Sequence, residues 1–287
     1  MTDRRTLLAG LGGASLLAPF LALERAAARL ADPAARLAAA NARAETAHED
    51  LMAVPNLRMH GQEQVAMLMY PGFTALDLVG PHYFFGGMMG ATVHLVTTED
   101  DLKPVASDLG LAIEPTIRMA DVPAQLDVIF APGGTMGTLA AMKREDVVDF
   151  VADRGGRARY VTSVCTGSLI LGQAGLLDSR RATSHWAAHD LLPEFGAIPV
   201  DDRVVTDDNR ITGAGVSAGL DFGLALVAAM RGEPYAKALM LSAEYAPAPP
   251  FPGGTLAATP DAIGDAMAGM FAGTVEGFRQ VAAQRRR

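Results

Sequence analysis

Cys165 is the only cysteine of the chain, and it sits in SVCTGS, residues 163–168, directly after the apolar run ARYVTSV. A single thiol makes no internal disulfide. It is an inert filler, one ligand of a metal site, or a nucleophile. The surroundings favour the last. A run read as a buried strand gives way there to a stretch read as a helix, with Ser163 two residues before the cysteine and Gly167 two after it. This is the spacing of a nucleophile elbow, with cysteine in the place of serine. A helix start offers partial positive charge and free amides, which stabilise a thiolate and an anion forming on an attacked group. The competing reading is a small buried hydrophobe, the common fate of a lone cysteine.

A nucleophile needs a group that moves protons. The residue after Cys165 is Thr166, and no histidine follows closely. YPGFTALDLVGP, residues 70–81, offers a carboxylate instead, because Asp77 follows the first strand. In a doubly wound sheet that position shares the C-terminal edge with the elbow. Two readings of Asp77 stand at this stage. It serves the thiol, or a water beside it, as acid and base; or, with Thr74 three residues earlier, it completes a capping box and satisfies helix amides. APGGT, residues 131–135, adds Gly133 and Gly134, whose amides can approach a substrate or an oxyanion closely, although a tight turn needs the same glycines. The turn is neither GxGxxG nor GxxxxGK[ST], so no nucleotide is expected. His185 and His189 lie four apart in TSHWAAH, a spacing for one helical face, and without a third ligand they read as structural or solvent-facing. Trp186 reads as core or pocket wall. The six histidines form neither HExxH nor a pattern with paired cysteines, so no metal is expected.

The elements that must position these groups follow from patterning. VAMLMY (65–70), ATVHLVT (91–97), LDVIFA (126–131) and ARYVTSV (158–164) are short apolar runs bounded by turn residues, as buried strands are. Helical spacing is expected over 75–88, 136–142, 144–154, 166–174 and 216–230. A hairpin or strand pair is expected around 105–118, and a second hairpin around Asp207, Asp208 and Asn209. Thr259, Pro260 and Asp261 open a final helix. Strands alternating with helices imply an α/β fold with a mostly parallel sheet covered on both faces.

The flanks read differently. Arg4 and Arg5 precede an interrupted apolar stretch from Leu7 to Leu23, with small residues after it. This is the layout of an export signal, the paired arginines pointing to the twin-arginine type and a periplasmic or exported protein. The stretch is short for a stable span, so none is expected in the mature chain. Residues 1–30 are thus a signal-like segment, 31–62 a linker or helical spacer, 63–245 the catalytic domain, and 246–287 a Pro/Gly-rich arm with a helix. A net charge of −8 disfavours a nucleic-acid partner. The stretch after Arg231 is short and Pro/Gly-rich, so no DNA-binding domain is expected there.

Taken together, YPGFTALDLVGP, the central APGG, SVCTGSLILGQAGLLDSRRATSHW, TGAGVSAGLDFGLALV and the tail LSAEYAPAPPFPGG resemble the DJ-1/PfpI superfamily, and within it the isonitrile hydratases. The resemblance covers about residues 63–256 and extends to the ligand-binding halves of AraC-type regulators. It implies a flavodoxin-like three-layer sandwich, a homodimer, a small-molecule substrate and no cofactor. It also implies hydration of an isonitrile to an N-substituted formamide. Cys165 would attack the terminal carbon, Asp77 would act as acid and base, and Thr166 would orient substrate or water. Protease-like members carry His after the cysteine and deglycase-like members carry Glu at the Asp77 position, so those reactions are not expected. A small-molecule sensor and a redox-stress protein on the same fold are the alternatives.

Overall fold

The computed structural model describes residues 33–285. The signal-like segment 1–30 and the final two arginines lie outside the described residues. The chain divides into two compact units, Met1–Val54 and Pro55–Arg287. In the first, α1 (Pro33–Met52) opens with proline and buries none of its residues. No described helix is long and apolar enough to cross a membrane.

The second unit is built on a sheet of β1 (Gln64–Met69), β2 (Thr92–Thr97), β5 (Ile117–Arg118), β6 (Val128–Ala131), β7 (Tyr160–Val164), β10 (Val204–Asp207) and β11 (Arg210–Gly213). The order is β10-β11-β7-β6-β1-β2-β5, and every neighbouring pair is parallel except β10 with β11. β6 is buried along its whole length and β1 over Val65–Met69, because both strands lie inside the sheet with helices on either face. That covering explains their unbroken apolar runs. On one face α2 (Ala75–Gly86) packs on α6 (Ala218–Arg231), and α6 on α7 (Glu233–Ser242). Phe85 of α2, Phe130 of β6 and Phe222 of α6 meet there with ring centres 5.5–6.4 Å apart. On the other face α3 (Met136–Met142), α4 (Glu145–Gly155) and α5 (Gly167–Gln173) pack together, and α8 (Asp261–Arg285) lies against α3.

The expected pair around 105–118 is a minimal hairpin, β3 (Val105–Ala106) with β4 (Ala112–Ile113), after which β5 joins the main sheet. Three features were not expected. β8 (Arg181–Ala182) pairs in parallel with β9 (Ile198–Pro199). α7 follows α6 directly, separated only by Gly232 at φ +91°. The segment holding His185 is an irregular turn, and His189 only starts a 3-10 helix to Phe195, so the two histidines do not share a helical face. The Ala187 N–H bonds His185 Nδ1, a local side-chain bond that competes with helical pairing.

Candidate active site

β7 ends at Val164 and α5 begins at Gly167, which leaves Cys165 and Thr166 to make the turn. Cys165 takes φ +60°, a left-handed conformation that costs a non-glycine residue about 1–3 kcal/mol. The surrounding bonds hold it there. Its N–H reaches the carbonyls of Gly213 at 3.1 Å and Ala214 at 2.8 Å, past the end of neighbouring β11. Its carbonyl accepts from Ser168 Oγ and Ser184 Oγ, both at 3.1 Å. Gly167 lets the elbow sit tight on the β6 turn, since a Cβ there would lie 2.1 Å from the Ala131 carbonyl oxygen.

Asp77 is the third residue of α2 and is fully buried. It is no helix cap: Oδ2 accepts the Gly133 N–H at 2.9 Å, across the site. The Gly133 carbonyl in turn accepts the Thr74 N–H at 2.7 Å, so the β6 turn and the start of α2 are stitched together. The Thr74 hydroxyl donates to Asp108 Oδ2 at 2.6 Å instead of capping α2. A Cβ on Gly133 would meet Cys165 Cβ at 2.6 Å, Asp77 Oδ2 at 2.7 Å and the Thr166 N at 2.7 Å. That one glycine therefore brings carboxyl, thiol and elbow amide to a single point.

The two amides expected to approach a substrate or an oxyanion, those of Gly133 and Gly134, both have partners within the site. The Gly133 N–H is engaged by Asp77, and the Gly134 N–H donates to Thr166 Oγ1 at 3.0 Å. Both amides position side chains of the site rather than facing the cavity unpartnered. Glycine spacing announces close approach, but not which group approaches.

Burial pushes the Asp77 carboxyl up to about 7, against the Gly133 N–H and the Cys165 thiol, which favour its charged form. Its Oδ1 is buried without a hydrogen-bond partner. The Cys165 thiol is also held well above its ordinary value, first by burial and then by the negative charge of Asp77, with the Thr166 amide and hydroxyl opposing. Burial and the Asp77 charge thus outweigh the amide at the helix start, which still favours the thiolate. α5 is only seven residues long, and the thiol is buried against a carboxylate. The resting pair is thus a thiol beside a carboxyl poised between its two forms.

Cys165 and Thr166 face a cavity of about 500 Å³ whose walls are mostly apolar. Leu76, Leu109 and Leu111 line it toward solvent, and α8 supplies Phe271, Val275 and Phe278. Asp77 is not among the residues lining the cavity; its carboxyl lies beside the thiol at Gly133. His185 does line it, and burial lowers its basicity. Trp186 lies outside the lining and backs it: His185, Trp186 and Phe271 form a triangle with ring centres 5.4–5.5 Å apart. His189 lies outside the lining, 3.5 Å from the Asp190 carboxylate. The α8 contribution escaped the sequence reading. Its helix start was visible, but the face it would cover was not.

A mostly parallel α/β sheet with a cysteine elbow at its C-terminal edge defines a class of thiol-bearing folds. The chain belongs to the DJ-1/PfpI family, whose pattern matches residues 63–229. It is 49% identical over 202 residues to an isonitrile hydratase of Pseudomonas putida, covering 70% of this chain and 87% of that protein. The crystal structure of a ThiJ/PfpI family protein from Pseudomonas syringae superposes with a TM-score of 0.77 at 51% identity, covering 80% of this chain and 96% of that one. The HTH-type transcriptional regulator GbdR of Pseudomonas aeruginosa is 28% identical over 183 residues, 62% of this chain and 49% of the regulator.

Proposed function

We propose that this protein hydrates an isonitrile to an N-substituted formamide, with Cys165 as nucleophile and Asp77 as acid and base. The observation that carries the reading is the thiol at the floor of an apolar cavity with a buried carboxyl directly behind it. The similarity to an isonitrile hydratase supports it.

The chemistry balances as follows. Asp77 takes the thiol proton while sulfur bonds to the terminal isonitrile carbon, and that same proton passes to the carbon, giving a thioimidate with an N=CH–S group. Water then adds to this carbon, losing a proton to Asp77, and the nitrogen gains a proton. The C–S bond breaks, the thiol regains its proton, and the formamide leaves. Every proton taken is returned, so no oxidant, reductant or co-substrate other than water enters. Two covalent steps replace one difficult addition. A carboxyl near 7 is fitted to both halves, since it accepts and donates at neutral pH. Thr166, beside the sulfur, orients the substrate or water.

A homodimer and export through a twin-arginine signal belong to the same proposal, supported by the family resemblance and by Arg4, Arg5 and the stretch to Leu23. Sedimentation and cell fractionation test them. The reaction is tested by incubating the protein, Cys165→Ala and Asp77→Asn with alkyl isonitriles and measuring formamide. Formamide from the parent alone is expected. No formamide from any refutes the reading and leaves a binding protein; equal rates from all remove Cys165 and Asp77 from the reaction and refute it as well.

A further inference from the structure

Behind Thr166 runs a buried row of hydroxyls that the reaction as written leaves unused. Tyr70 directly follows β1, and Thr138 lies in α3. The Tyr70 hydroxyl reaches the Pro132 carbonyl at 2.7 Å and Thr138 Oγ1 at 2.9 Å. Thr138 Oγ1 lies 2.9 Å from Thr166 Oγ1. Thr166 Oγ1 accepts the Gly134 N–H at 3.0 Å and reaches the Gly134 carbonyl at 2.8 Å. All three side chains are buried.

Proton counting makes this row more than packing. Three hydroxyls bring three protons to four contacts among themselves and with the Pro132 and Gly134 carbonyls, which only accept. At least one contact is always without a proton, and two are when the Thr166 proton leaves the row, so the row has more than one arrangement with the same heavy-atom positions. In one arrangement Tyr70 donates to the Pro132 carbonyl and Thr166 to the Gly134 carbonyl. In the other, Tyr70 donates to Thr138 and Thr138 to Thr166. Thr166 Oγ1 then has both lone pairs filled, by Thr138 and by the Gly134 N–H, so its own proton has only the Gly134 carbonyl and the neighbouring sulfur to choose between. The Thr166 hydroxyl is among the groups that favour the charged form of Cys165. Tyr70 is held in its protonated form by burial, so it remains a donor.

We infer that Thr138, backed by Tyr70, is a positioning residue that directs the Thr166 proton onto the Cys165 sulfur as negative charge develops there. No covalent bond changes in the row; three O–H bonds rotate. The inference rests on the nucleophile reading of Cys165 but is tested without turnover. The rate of alkylation of Cys165 by iodoacetamide is measured against pH, with thermal melts to establish folding. Thr138→Val is expected to move the profile to higher pH and slow alkylation about three- to tenfold below the midpoint, the effect of one hydrogen bond of ordinary strength. Thr138→Ser restores the parent profile. Tyr70→Phe gives a smaller shift in the same direction and adds nothing in the Thr138→Val background, because the row is already broken. Thr138→Ala replaces the valine variant if valine disturbs the fold. A profile for the valine or alanine variant that overlays the parent's, a serine variant as slow as valine, or an additive Tyr70→Phe effect overturns the inference. A parallel formamide assay on the parent separates its failure from that of the hydratase reading: no formamide refutes the latter, while the alkylation profiles still decide the former.

Discussion

Two carboxylates flank β1 and are both buried, yet they are built for opposite ends. Glu63, just before the strand, meets Arg231 in a two-pronged pair, with Nε to Oε1 at 2.8 Å and Nη2 to Oε2 at 2.6 Å. The guanidinium also donates to the carbonyls of Arg58, Met59 and Met89, so its charge and protons are fully occupied. Asp77, after the strand, has one amide, an orphan oxygen and a thiol as company. The first carboxylate is satisfied and ties residues 58–63 to α6. The second is left partly unsatisfied, and that is what keeps a proton available at neutral pH. Burial alone does not make an acid reactive; burial without a cation does.

The largest test of this contrast is catalytic. Asp77→Asn is expected to lower formamide turnover by about 10²–10⁴-fold, the range of a lost acid–base group, while its urea midpoint stays at or above the parent's. A variant with full turnover would reduce Asp77 to a packing residue. The next test is pH. Folded Asp77 holds its proton up to about 7, whereas its ordinary value is 3.8. The folded chain therefore binds more protons between those values, and stability falls as pH rises through that window and levels above it. Urea unfolding of the parent against Asp77→Asn should show a difference on the order of 4 kcal/mol accumulating between about pH 4 and 7. Parallel curves would remove Asp77 from the account. Glu63→Gln reverses the pattern: it strands a buried guanidinium and should cost about 3 kcal/mol in urea unfolding, with kcat of the folded fraction unchanged. The smallest effect lies at the cavity wall. Phe271→Ala should raise KM for bulky isonitriles about tenfold and leave kcat nearly unaltered, because it removes uniform binding.

Much of the fold could be read from local patterning because the sheet is covered on both faces. β6 is apolar throughout and β1 from Val65 onward for that reason, β7 is buried from Val161 although it carries Thr162 and Ser163, and α6 shows its helical spacing openly. α7 was not expected because the helical spacing over 216–230 runs out before Gly232, which at φ +91° redirects the chain into another helix. Cys165 and Asp77 were visible as candidates because strand ends can be located from sequence. Their environment was not. Gly133 and Gly134 differ from an oxyanion cradle only in which side chains face their amides, and that depends on Asp77 and Thr166 arriving from distant segments. Tyr70 and Thr138 carry no local mark, since their link spans 68 positions. His185 reached the cavity wall through an irregular turn that helical spacing does not describe.

The cavity wall contributed by Phe271, Val275 and Phe278 has a consequence for the order in which the protein is made. The elbow is synthesised well before α8, and the roughly 100 residues between them take on the order of 5–20 s to translate. Until α8 is in place the pocket lacks the wall of Phe271, Val275 and Phe278, and the thiol is unshielded on that side. Only when α8 settles does Cys165 become a group that small apolar molecules reach by fitting.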